Sequence, residues 1–156
     1  MRSGFARYAG MAAALLVSLS SGAGAQPALF PQQDLSFGTL TPGTPRVVTT
    51  SDVANRAEVE LVGSGSITLE VVVPAALVSV GGQTLPVVFG PSDGMLRHKK
   101  GGQSVTFQPG TQFSFTMPPG IGGGFIWVGG TAQPSSVQAP GVYTGTLTVR
   151  ILSPGT

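Results

Sequence analysis

The sequence predicts an all-β fold, an antiparallel sandwich of about eight or nine short strands behind an N-terminal export signal. Three observations carry that reading. Short segments rich in valine, threonine and phenylalanine alternate apolar with polar residues along most of the chain, the two-residue period of a half-buried strand. Dense glycine and proline, 24 and 13 of 156 residues, separate these segments and mark turns. No segment beyond residue 26 sustains the longer period of an amphipathic helix.

The last strand is the clearest. Pro140-Gly141 predicts a turn, because proline presets φ and glycine accepts positive φ. After it, Tyr143, Gly145, Leu147, Val149 and Ile151 share one face of a strand over 142–152, while Thr144, Thr146, Thr148 and Arg150 share the other. One face is apolar and inward, the other threonine-rich and outward. Further strands are expected at 34–39, 46–50, 57–62, 66–73, 83–89, 104–108, 112–117 and 124–128. The inward sets are Leu35 with Phe37; Val59 with Leu61; Ile67, Leu69, Val71 and Val73; and Phe113, Phe115 and Met117. Trp127, the lone tryptophan, alternates with Phe125 and is expected in the core. Segments 51–58 and 74–78 each suit a single helical turn.

The first 25 residues read as a secretory leader outside the fold. Arg2 and Arg7 give a positive start, residues 9–19 form a short apolar run, and Ala23-Gly24-Ala25 is a small-x-small cleavage site. The run is far short of the ~20 residues that span a bilayer. Cleavage before Gln26 leaves residues 26–156 as one domain with a single core and no transmembrane segment. The formal charge of +2 then disappears. Six basic residues (Arg46, Arg56, Arg97, Lys99, Lys100, Arg150) face six acidic ones (Asp34, Asp52, Glu58, Glu60, Glu70, Asp93), so charge gives no reason to expect nucleic acid as a partner. With no cysteine, disulfides, thiol catalysis and thiolate metal sites are all excluded.

Tests for chemistry return little. His98 is the single histidine, so zinc or copper would need carboxylates that are scattered along the chain. No Asp-x-Asx-x-Asx-Gly calcium loop is present. A serine hydrolase would need His98 as base, yet Arg97, Lys99 and Lys100 surround it and disfavour the imidazolium. Glu58 and Glu60 share a strand face, as solvated sheet residues do. Gly120-Ile-Gly-Gly-Gly124 lacks the lysine and following helix of a phosphate loop. No enzyme, cofactor or metal is expected. The remaining candidate contact is Arg97-His98-Lys99-Lys100, read as a loop between Gly90-Pro91 and Gly101-Gly102. It suits an anionic partner such as lipopolysaccharide or an acidic glycan, or a solvated hairpin tip that discourages edge aggregation.

Ile126-Trp-Val-Gly129-Gly130-Thr131, then Pro140-Gly141-Val-Tyr143-Thr-Gly145-Thr-Leu-Thr-Val149, together with Asp34-Leu-Ser-Phe37-Gly38 near the start, resemble a bacterial exported family described only as domain of unknown function 4402. The resemblance covers nearly all of 26–156. It implies an immunoglobulin-like β-sandwich, similar in style to spore-coat-U-type and fimbrial subunits, with no enzymatic residues to carry over. Three roles fit. The first is an exported, non-enzymatic structural protein of the periplasm, cell surface or extracellular space, partnered by itself or other surface proteins. The second is a fimbrial or pilus-like subunit assembled by strand addition. The third is a glycan- or lipopolysaccharide-binding module using Arg97, His98, Lys99 and Lys100. Only Gln26–Gln33 precede the first expected strand, broken by Pro27 and Pro31. That short leader and the full strand set predict a self-sufficient folded monomer.

Overall fold

The structure, a computed structural model, describes the backbone of residues 12–18 and 27–153 and the side chains of residues 27–152. Arg2, Arg7 and the Ala23-Gly24-Ala25 site lie outside the described residues. In chain order the strands are β1 Ala12–Ser18, β2 Ala28–Gln33, β3 Leu35–Ser36, β4 Arg46–Val48, β5 Ala57–Val62, β6 Gly65–Val72 and β7 Ala76–Ser79. They continue with β8 Thr84–Val88, β9 Gly94–His98, β10 Ser104–Phe107, β11 Gln112–Met117, β12 Gly124–Val128, β13 Gly130–Ala132 and β14 Tyr143–Ser153.

These form two sheets around one core. The larger runs β11-β6-β14-β7-β8-β13-β4, with β1 beside β14 and β3 beside β1; the smaller runs β10-β9-β12-β5-β2. Every pairing is antiparallel except that of β1 with β14, which is parallel. Alternation delivers the core from both sheets: Val59 and Leu61 from β5, Leu96 from β9 and Ile126 and Val128 from β12 meet Ile67, Leu69 and Val71 from β6 and Leu147 and Val149 from β14. Each large side chain so buried contributes roughly 1.5–3 kcal/mol. The chain is an all-β sandwich, as expected.

Several strands beyond the expected set appear. β2 pairs with β5 and buries Leu29, although it contains Pro31. Proline is tolerated there because β2 is the edge strand of its sheet, and the register shifts just after it. Residues 76–79 form a strand between β8 and the start of β14 rather than a helical turn. In 51–58 the local structure is a turn on Asp52, whose carbonyl accepts from the backbone N–H of Asn55 and Arg56 before β5 begins.

Inward faces follow the alternation, with two differences. Phe113 and Phe115 pack against the core yet stay half-buried, because β11 is a sheet edge. Phe113 stacks on Phe107 of β10 at 3.9 Å between ring centroids, closing the sandwich between the β10 and β11 edges. Trp127 and Phe125 lie on the outer face, while Gly124, Ile126 and Val128 are buried. The cause is their pairing with β5: Trp127 sits opposite Glu58 and Phe125 opposite Glu60, and paired residues share a face.

The turn from β12 to β13 carries the chain from the smaller sheet to the larger one. Gly129 makes it: a Cβ there would lie 2.1 Å from the Val48 carbonyl oxygen, and its N–H donates to the Asp93 carbonyl at 2.7 Å.

Candidate functional site

The expected cationic loop is divided between a strand and a turn. Arg97 and His98 end β9, and residues 99–103 turn the chain into β10, with the His98 N–H donating to the Gln103 carbonyl at 2.8 Å. Alternation sends neighbours to opposite faces. Arg97 is exposed and His98 is buried. Lys99 folds back over the smaller sheet, where its Nζ donates to Glu60 Oε1. The four side chains therefore do not converge; Arg97 and Lys100 project from the surface, His98 belongs to the interior and Lys99 is engaged by a carboxylate.

The outer face of the smaller sheet holds a second grouping that the sequence did not show. The Arg56 guanidinium lies 3.7 Å above the Trp127 ring. Its Nη2 donates to Glu58 Oε2 at 2.9 Å and its Nη1 to the Thr50 carbonyl at 2.7 Å. Arg56 is only 7% exposed, so it covers the indole as a cation over an aromatic face. Trp127 is thereby occupied by the protein's own arginine and is no free platform for a sugar ring. On the outer face of the larger sheet, Arg150 pairs with Glu70 at 3.1 Å. Glu60 and Glu70 thus pair with cations from other segments, Lys99 and Arg150, while Glu58 pairs with Arg56 two residues before it. Among the described residues, no three His, Cys, Asp or Glu side chains come close enough to hold a metal ion, and no helix is long and apolar enough to cross a membrane.

The signature residues build the framework. Phe37 and Val149 are buried in the core, and Gly38 follows Phe37 with φ of 62°. Asp34 stands at the junction of β2 and β3. Gly130 begins β13, where a Cβ would meet the Phe89 ring at 2.8 Å. Pro140 and Gly141 precede β14, and buried Tyr143 opens it. Gly145 leaves room for Leu77, whose Cδ2 would lie 2.6 Å from a Cβ at that position.

The feature that sequence reasoning missed is the edge of β14. Thr148, Val149 and Arg150 are paired on one side with Val72, Val71 and Glu70 of β6, and on the other with Leu16, Val17 and Ser18 of β1. Thr144 likewise lies between Val78 of β7 and Ala12 of β1. So β6 and β7 succeed one another along one edge of β14, with the break at 73–75 between them, and β1 lies along the other edge. The apolar run read as a leader contributes the strand β1. Its composition suits both roles, which is why the pattern alone did not separate them.

The model of the family described as Domain of unknown function (DUF4402) matches residues 28–152. No curated protein matches the chain. The match spans every strand from β2 to the penultimate residue of β14, and the signature residues lie where the sandwich needs them. The chain belongs to this family of unknown function.

Proposed function

We propose that this protein is an exported, non-enzymatic structural component of the cell surface or extracellular space. One observation carries the reading: the residues that mark the family are spent on the framework. Phe37, Tyr143 and Val149 fill the core, and Gly129, Gly130 and Gly145 permit close approach between strands. Positioned reactive groups sharing one concave site would indicate chemistry; here Arg56 pairs with Glu58 two residues along the same segment, and Arg150 of β14 pairs with Glu70 of the neighbouring β6, each on an outer sheet face. Export is supported by the sequence: Arg2 and Arg7, an apolar run, then Ala23-Gly24-Ala25.

Fractionation with intact-mass analysis tests it. The protein should be recovered from the periplasm, surface or medium, beginning at Gln26. Recovery of the full-length mass in the cytoplasmic fraction alone would overturn the reading.

A further inference from the structure

We infer that, once the leader has been removed, the edge of β14 is an acceptor groove for an extended strand supplied by a different protein and running parallel to β14. The inference rests on the proposed export and adds the site and kind of partner.

The observation is the place taken by β1. It runs parallel to β14 from Ala12 opposite Thr144 to Ser18 opposite Arg150, and antiparallel to β3, with Ala12 opposite Ser36 and Ala13 opposite Leu35. Among the described strands, β1 is the one with which β3 pairs. Removing residues 1–25 therefore does two things at once. It leaves the backbone groups of Thr144–Arg150 that face this edge without strand partners, and it leaves β3 without a sheet. Such an edge is a ready template for another strand, and unpaired backbone groups beside a core are costly.

The core lies directly beside the vacated place. Residues 13, 15 and 17 stand opposite Gly145, Leu147 and Val149. Leu147, Val149 and Leu35 are each at most 1% exposed with the strand seated. The occupant is thus a strand with apolar side chains at three alternate positions: backbone bonds supply the affinity and these positions supply the selectivity.

The donor is not this protein's own leading segment. Residues 28–33, next to the expected mature start, already form β2 and bury Leu29 in the other sheet. Lending them to a second copy would dismantle that edge of the smaller sheet. A separate exported protein with a free alternating strand meets the requirement.

The test uses the mature chain, residues 26–156, and a peptide of residues 12–18 bearing a solubilising lysine tail as the probe. Hydrogen exchange should be fast at Leu35 and at those amides of Thr144–Arg150 that point toward the β1 edge in the mature chain, while the amides bonded to β6, β7 and Asn55 stay protected, and the peptide should slow the fast set about tenfold or more. A peptide carrying Leu15→Asp and Val17→Asp should not. Orientation is read with cysteines, which the native chain lacks. A peptide with Ala12→Cys should cross-link to mature Thr144→Cys and not to Arg150→Cys. A mature chain that stays folded only with the peptide supports the inference equally. Four results overturn it: the amides facing the β1 edge already protected in the free monomer, protection of them that appears with dimerisation alone, cross-linking to position 150, or a chain that the peptide neither protects nor rescues. Location and N-terminus are read separately by fractionation and mass, so failure of export is distinguishable from failure of the groove. An exported protein that retains residues 12–18 keeps its own strand in place and also overturns the groove.

Discussion

Gln138 and Tyr143 fasten the last turn to the last strand. Gln138 Nε2 donates to Tyr143 Oη at 2.7 Å, and Tyr143 Oη donates to the Ala139 carbonyl at 2.6 Å. Gln138 Nε2 also reaches the Thr84 carbonyl at 3.1 Å, tying the turn to the start of β8. The phenol is 1% exposed, so its ring fills the core while its hydroxyl both donates and accepts. This explains how Pro140-Gly141 can aim an eleven-residue strand: the turn is bonded on its inner side as well as shaped by its backbone. Tyr143→Phe keeps the ring and deletes both bonds. It should cost about 1–3 kcal/mol, read as a lower urea midpoint for the full-length chain held in the cytoplasm of an export-blocked host. An unchanged midpoint would show that water replaces the hydroxyl without loss.

The two faces of β14 should respond differently to truncation. Leu147 is buried against both sheets, whereas Thr146 is exposed. Leu147→Ala should cost about 2–5 kcal/mol through lost transfer energy and the cavity left behind. Thr146→Ala should remain within about 0.5 kcal/mol. Similar midpoint shifts for the two variants would mean that the face assignment is wrong.

Trp127 is the single tryptophan, so its emission reports the Arg56 contact directly. Arg56→Gln removes the cation over the ring and the ion pair with Glu58. The indole then meets water, and emission should shift to longer wavelength in the folded state. Stability should fall by about 1–3 kcal/mol, the range of a partly desolvated cation–π contact with charged hydrogen bonds. An unchanged spectrum would place the guanidinium away from the ring in solution.

Much of this fold was legible because local alternation and burial coincide. In β5, β6 and β14 the acids and threonines interrupt the apolar residues at every second position, so one face is excluded from the core by chemistry. Where both faces are apolar, alternation is silent. In Gly124-Phe-Ile-Trp-Val128 the larger residues looked like the core set, yet the pairing with Glu58 and Glu60 turns them outward. That is a long-range fact, absent from the segment itself. His98 was hidden among cations because β9 shows its pattern only once it lies between β10 and β12. The edge of β14 was hidden for a similar reason. An apolar run that suits an export signal also suits a strand, and its register with β14 is a long-range pairing that the segment itself does not show.

The crossing from β12 to β13 offers a test of close approach without involving positive φ. Gly129 is not among the glycines with positive φ, so its requirement is space alone. A Cβ would lie 2.1 Å from the Val48 carbonyl oxygen and 3.0 Å from the carbonyl carbon. These are backbone atoms of β4, held by its pairing with β13, and they cannot rotate away. Gly129→Ala should therefore separate β4 from β13, break the Gly129 N–H bond to Asp93 and cost about 3 kcal/mol or more. Gly81→Ala provides the contrast, since its nearest atom is the Gln83 Oε1 at 3.2 Å, the end of an exposed side chain that can move. It should change stability by less than about 1 kcal/mol. Urea midpoints of the two full-length variants, followed through Trp127 emission, decide the matter. A Gly129→Ala chain as stable as Gly81→Ala would mean that the sheets meet less closely at this corner than Gly129 and Val48 indicate.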